Sequence, residues 1–111
     1  MNIENINAIT EKRRILENAI ISEKIHLFKK SLSFYKWHFE DINLKMDFES
    51  EAYYRLFRSV RLHTAEWQNG QKDYLLFYIV KGSFCYTCKR NYATRNLIRS
   101  IAEYELFGRK I

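Results

Sequence analysis

The sequence predicts a small α+β fold, built as a single domain over residues 1–111. Three observations lead to this prediction. Residues 1–69 contain no Gly or Pro and carry apolar side chains at helical spacing, apolar and polar residues alternate from Ile42, and residues 73–90 are rich in β-forming side chains. A chain of this length is expected to bury one core. The predicted order of elements is helix, strand, helix, a two-stranded hairpin and a final helix.

The first predicted helix starts near Asn5 or Asn7. Five apolar residues recur along it at intervals of seven and four and predict a packing face: Ile9, Leu16, Ile20, Leu27 and Phe34. Charged residues occupy the positions between them, namely Arg13, Glu23 and Lys30. These charges favour a helix lying on a domain core over a long dimeric coiled coil, although the spacing leaves a homodimer open.

Residues 42–49 predict a short edge strand, because apolar and polar side chains alternate there. Ser50 then resembles an N-cap, and apolar residues spaced by three and four predict a second helix over about 51–68 that stops at Asn69–Gly70. An alternative interpretation makes residues 54–62 a strand and Asn69–Gly70 a hairpin turn. The helical interpretation is favoured.

Residues 73–90 predict a β-hairpin, because β-forming residues stand on both sides of Gly82, which accepts a positive φ in a turn. Beyond the hairpin, Asn91 or Thr94 is placed to cap a last helix that Gly108 closes. The apolar side of that helix is predicted to consist of Leu97, Ile98, Ile101 and Ala102.

The excess positive charge lies entirely in the second half of the chain. Residues 1–50 carry 8 Lys or Arg and 8 Asp or Glu, whereas residues 51–111 carry 11 and 5, which accounts for the formal net charge of +6. The same half holds 12 of the 18 aromatic residues. Cations neutralise phosphates and flat rings stack on bases, so this composition indicates a small, basic, non-enzymatic protein that binds nucleic acid.

Arginines and lysines of the second half are the predicted phosphate contacts. They are Arg55, Arg58, Arg61, Lys89, Arg90, Arg95 and Arg99. Tyr74, Tyr78 and Tyr92 are the predicted stacking partners for exposed bases. Neither the choice between DNA and RNA nor a sequence preference follows from the sequence, because both depend on which side chains reach the bases.

Two other classes of function compete with this prediction. An interaction or inhibitor protein of mobile-element type, which binds a host protein or a nucleoprotein complex, would use the same Tyr, Trp and Arg side chains as interface anchors. A small ribonuclease toxin would rest on His63 as a base, with Arg61 and Glu66 beside it. One histidine is a weak basis for catalysis, so no catalytic residue is assigned.

Cys85 and Cys88 have a spacing that occurs in zinc sites, with His38 or His63 as further ligands. In a regular strand the two sulfurs would point to opposite faces, so the predicted metal and cofactor content is none. The longest strongly apolar stretch, residues 75–80, is far shorter than the roughly 20 residues that span a bilayer, so no membrane partner is expected. The N-terminus lacks a basic-then-apolar signal pattern, which predicts a cytoplasmic protein with reduced thiols.

Overall fold

Helices account for every regular element in the computed structural model, which describes residues 3–91 and, from residue 7 onward, their side chains. They are α1 (Ile3–Lys36), α2 (Ile42–Leu62), α3 (Thr64–Gln68) and α4 (Leu75–Arg90). No strand occurs in this part of the chain, so the predicted α+β class is wrong and the described fold is all-α. Across the same residues, no helix combines the length and the apolar character needed to cross a membrane.

The three long helices pack against one another as a bundle in which α2 runs antiparallel to its two neighbours. Ion pairs mark both ends of the α1–α2 contact: Lys36 pairs with Glu49 at one end, and Arg61 approaches Glu17 at the other. α4 returns alongside α1 in the same direction, and the short α3 lies in the connection between α2 and α4. This arrangement buries one face of each long helix in a common core.

Aromatic rings make up much of that core. Phe84 of α4 is 1% exposed, and its ring centroid lies 5.0 Å from that of Tyr35 and 5.1 Å from that of Phe39. Phe48 of α2 completes the cluster, with its centroid 5.9 Å from that of Phe84 in an edge-to-face arrangement. Such ring pairs add to the free energy gained from burial alone. Phe84 therefore joins three separate parts of the chain.

The predicted edge strand over residues 42–49 is wrong, because these residues form the first turns of α2. Asp41 caps the helix, since its Oδ1 accepts a hydrogen bond of 2.8 Å from the backbone N–H of Asn43. The cap thus lies nine positions before Ser50, the predicted one. Buried residues follow at intervals of four, as a helix requires: Phe48, Ala52, Leu56 and Val60. The alternation that suggested a strand does not correspond to burial, since Ile42 and Met46 are exposed.

The second predicted helix is helical but is interrupted. α2 ends at Leu62, His63 has φ −132° and ψ 45°, and α3 resumes at Thr64. The predicted stop at Asn69–Gly70 is confirmed, because α3 ends at Gln68 and Gly70 has φ +84°, a conformation that favours glycine. The alternative of a strand over 54–62 and a hairpin turn at Asn69–Gly70 is wrong. Trp67 anchors the short helix, fully buried with its Nε1–H donating to Ser59 Oγ over 2.9 Å.

The predicted hairpin over residues 73–90 is also wrong, since residues 75–90 form α4. Burial along this segment follows helical spacing, with Leu76, Val80, Phe84 and Cys88 at intervals of four. Gly82 is therefore a residue inside a helix and not a turn residue. The predicted final helix, from Asn91 or Thr94 to Gly108, lies outside the described residues apart from Asn91.

The first predicted helix is confirmed, but its predicted packing face is only partly correct. Ile20 is buried, whereas Ile9, Leu27 and Phe34 are 55%, 54% and 48% exposed. The residues of α1 that enter the core follow a different line, Ile20, Phe28, Leu32 and Tyr35. These buried residues follow spacings that are multiples of four or equal to three. The predicted residues, spaced mainly by seven, lie along the edge of this buried face.

Lys24 also lies on the buried side of α1, although it is charged. It is 7% exposed, and its Nζ lies 2.9 Å from both carboxylate oxygens of Asp73, with hydrogen-bond geometry to Oδ2. The hydrogen bond to Asp73 raises the pKa of Lys24 more than burial lowers it. The pair ties α1 to the turn that precedes α4.

His38 is expected to make the stability of the fold depend on pH. Burial lowers the pKa of His38 below its usual 6.5, because the imidazole stacks on Trp37, 4.7 Å between centroids, and lies edge-on to Phe84. The folded state thus prefers the neutral ring, so this stabilisation is present above about pH 6.5 and is lost as the pH falls. We expect the urea midpoint to decrease between pH 7.5 and pH 5, and to decrease less in His38→Phe. Equal decreases in both proteins would contradict this role.

Candidate functional site

Three of the predicted phosphate contacts come together on one side of the bundle, between α2 and α4. Arg55 and Arg58 lie on α2, and Arg90 ends α4. Two tyrosines, Tyr54 and Tyr86, lie among them. We call these five residues the α2–α4 surface. Arg58, Tyr54 and Arg90 are exposed, and Arg55 is partly buried.

Tyr86 organises the arginines of the α2–α4 surface. The guanidinium carbon of Arg55 lies 5.2 Å from the centroid of the Tyr86 ring, and that of Arg90 lies 5.4 Å away. Arg90 also donates a hydrogen bond from Nη1 to the hydroxyl oxygen of Tyr86 over 3.3 Å. The quadrupole of the Tyr86 ring attracts both guanidinium groups. It thereby keeps two positive charges close to the same ring.

Gly82 makes room for Arg55. A Cβ atom on Gly82 would lie 3.1 Å from Arg55 Nη1, closer than ordinary van der Waals contact, so the missing side chain leaves the space that the guanidinium uses. This explains why a glycine occurs inside α4, where it lowers helix stability relative to alanine.

We expect Gly82→Ala to separate stability from the geometry of the surface. The far end of Arg55 is flexible and gives way, so the free energy of unfolding should rise by about 0.5–1 kcal/mol from improved helix propensity. Arg55 Nη1 would then have to shift by about a few tenths of an ångström beside Tyr86, and the affinity for nucleic acid should decrease slightly. Chemical unfolding and a binding titration of the same protein measure the two effects. A loss of stability would show that Arg55 cannot move aside.

Two carboxylates lie between the arginines. Glu51 accepts a hydrogen bond of 2.8 Å from Arg55 Nε, one helical turn away. Asp47 lies a further turn towards the start of α2 and lines the same hollow as Arg90. The three guanidinium groups therefore exceed the two carboxylates by one charge, and the surface combines cations, acceptors and rings.

The α2–α4 surface is concave and contains two hollows. The first, of about 520 Å³, lies between α2 and the end of α4 and is lined by Asp47, Glu51, Tyr54, Tyr86 and Arg90, among others. The second, of about 400 Å³, follows α2 towards His63 and includes Arg55 and Arg58. Glu51 and Tyr54 line both hollows and so separate them.

The other predicted phosphate contacts are not brought to this surface. Arg61 lies on the side of α2 that faces α1, where its Nε is 3.9 Å from Glu17 and its carbonyl accepts a hydrogen bond from Arg13. Lys89 is exposed and precedes Arg90, but successive helical residues point about 100° apart, and it lines neither hollow. Arg95 and Arg99 lie outside the described residues.

The stacking residues predicted from the sequence are not the ones beside the arginines. Tyr74 and Tyr78 are exposed but line neither hollow, and Tyr92 lies outside the described residues. Tyr54 and Tyr86 were not predicted as stacking residues. Tyr86 precedes Arg90 by four residues, a spacing that indicates a ring–cation pair once the segment is recognised as a helix.

The cysteine and histidine residues are not grouped as metal ligands in the part of the chain that the structure describes. Cys85 is half-buried and Cys88 is buried, and they form no disulfide. Within the described part of the chain, no three His, Cys, Asp or Glu side chains are grouped closely enough to hold a metal ion. His63 lines the second hollow with Arg58, whereas Glu66, its predicted partner, does not.

A second surface, formed by α1 and α4, is apolar. Its large side chains are 41–61% exposed: Phe34, Phe77 and Tyr78. The buried ring of Tyr35 connects two of them, with centroids 5.0 Å from Phe34 and 5.8 Å from Phe77. The rings of Phe77 and Tyr78 are also in contact, 6.0 Å between centroids, and we call Phe34, Phe77 and Tyr78 the α1–α4 apolar face. Apolar patches of this kind commonly mark interaction sites.

The fold and the α2–α4 surface define a small helical-bundle protein with a concave arginine–tyrosine groove. Comparisons of the chain with protein-family models, with curated proteins and with solved structures found no match. The function must therefore be argued from the chemistry of its surfaces.

Proposed function

We propose that this protein binds nucleic acid, without a catalytic step, through the α2–α4 surface. The observation that carries the proposal is the arrangement of Arg55 and Arg90 around Tyr86, with Arg58 exposed on the next turn of α2. Guanidinium groups form paired hydrogen bonds with phosphate oxygens, and their position beside a ring limits the freedom lost on binding.

The charges of the surface support a moderate affinity. Among the described residues, Arg58 has no ion-pair partner, and the hydrogen bond and ring contact of Arg90 are both made with the neutral Tyr86. Arg55 shares its charge with Glu51 and serves more to position the groove than to attract phosphate. Arg95 and Arg99, which follow Arg90 in sequence, remain proposed contributors.

A salt titration tests the proposal directly. Retention of the protein on nucleic acid should weaken with a log–log slope of about −0.9 for each duplex phosphate contacted, or about −0.7 for single strands. With Arg58 and Arg90 as contacts, we expect a log–log slope of about −1.4 or steeper. Retention that does not change with salt, or no retention at all, would remove nucleic acid as the ligand.

Binding of another protein is the second candidate function, and the α1–α4 apolar face favours it. Exposed aromatic side chains such as Phe34, Phe77 and Tyr78 resemble the anchors of protein interfaces. An interface of this type responds weakly to salt, so the same titration, performed with a captured partner protein, separates the two functions.

The proposed setting is the cytoplasm, where Cys85 and Cys88 would stay reduced. Homodimer formation and ribonuclease activity through His63 stay predictions.

A further inference from the structure

We propose that the nucleic acid bound by the α2–α4 surface is single-stranded, and that Tyr54 stacks on one of its bases. This inference rests on the proposed function and specifies its substrate class. Three features of the surface carry it: its concave shape, the free faces of one tyrosine ring, and the placement of the two carboxylates.

The concave shape suits a flexible strand. The hollows follow α2 from Asp47 to His63, which is about 24 Å along the helix axis. A helix that reads duplex DNA has to project into the major groove, whereas the first hollow lies between α2 and α4 and the second continues along α2 alone. Two hollows of this combined length match the lower end of the site sizes of single-strand-binding domains, which is about four nucleotides.

Tyr54 is the ring available for stacking. It is 58% exposed and lies at the boundary between the two hollows. Within residues 7–91, no aromatic ring or guanidinium group lies against it, whereas the ring of Tyr86 already contacts Arg55 and Arg90. A base bound at the boundary of the two hollows can therefore stack on Tyr54 without displacing another side chain.

The carboxylates distinguish bases from phosphates. Asp47 and Glu51 lie between the arginines and repel a continuous row of phosphates, which is what a duplex presents. In a single strand the unpaired bases turn inward, and their amino groups donate hydrogen bonds to carboxylate oxygens. The phosphates then lie outward, near Arg58 and Arg90.

The test compares three fluorescein-labelled probes of the same 12-nucleotide mixed sequence: RNA, single-stranded DNA, and that DNA annealed to its complement. We expect at least one single strand to bind about tenfold more tightly than the duplex. Tyr54→Ala should weaken single-strand binding by about five- to hundredfold, the usual value of one base–ring stack, while Tyr54→Phe should retain it. Tyr74→Ala, at an equally exposed tyrosine outside both hollows, is the matched control and should bind as the unchanged protein does.

The outcomes separate this inference from the proposed function. Duplex binding equal to or tighter than single-strand binding, or full single-strand affinity in Tyr54→Ala, would overturn the inference while leaving nucleic-acid binding in place. Failure of all three probes to bind would overturn both. If one of the two single strands binds more tightly than the other, the result shows whether the protein prefers RNA or DNA. Either preference supports the inference.

Discussion

Replacing Arg58 and Arg90 together by Glu should reduce the affinity for single-stranded nucleic acid by roughly 25-fold at about 0.1 M salt, because each lost phosphate contact changes the affinity by about the 0.7 power of the salt concentration. Both side chains are exposed on the α2–α4 surface, and neither supports the core. The log–log slope of the salt titration should decrease in magnitude by about 1.4 at the same time. Fluorescence anisotropy with a labelled oligonucleotide measures both quantities.

A second double variant, Lys29→Glu with Lys30→Glu, controls for net charge. It changes the formal charge by the same amount, but both lysines are exposed on α1, which contributes nothing to the α2–α4 surface. We expect only a small decrease in affinity from the weaker long-range attraction. If the two double variants lost affinity equally, binding would depend on overall charge and not on this surface.

The largest effect on stability is expected from Phe84→Ala. Phe84 contacts the rings of Tyr35, Phe39 and Phe48, so its removal leaves a cavity at the point where α1, α2 and α4 meet. Such truncations of buried phenylalanine cost about 3–5 kcal/mol, a large part of the total stability of a small protein. Urea unfolding followed by the fluorescence of Trp67, which is fully buried, measures the loss.

Phe57→Ala provides the comparison for this variant. Phe57 is 47% exposed at the edge of α2, so the same chemical change should cost about 1 kcal/mol or less. A similar loss in both variants would mean that Phe84 does not have the central position described.

Sequence patterns predicted the helices where helical spacing of the apolar residues was the better fit. In α1, and from about residue 51 in α2, the apolar residues fit a helix and no Gly or Pro intervenes. In α4 the apolar residues fit both periodicities, because Phe84 and Cys88 share a face in a strand as well as in a helix. The contacts that decide the outcome, Phe84 with Tyr35 and Phe39, join residues more than forty positions apart. Local propensity does not contain that information.

The candidate site followed the same rule. Arg55 and Arg58 were predicted correctly to lie on a helix, and the pair of Arg55 with Glu51 follows from their spacing of four. The pairing of Arg61 with Glu17, which separates this arginine from the others, depends on how α1 packs on α2. The meeting of Arg55 and Tyr86 likewise requires α4 to be a helix that lies against α2. Composition therefore indicated which types of side chain to expect, and packing brought only some of them together.

The two cysteines of α4 provide a natural reporter of how this helix opens. Cys85 is partly accessible and Cys88 is completely enclosed, although only three positions separate them. A thiol reagent can react with Cys85 in the native bundle, but it can react with Cys88 only after the end of α4 has detached. The ratio of the two labelling rates thus measures the free energy of that local opening at the very helix terminus that carries Arg90.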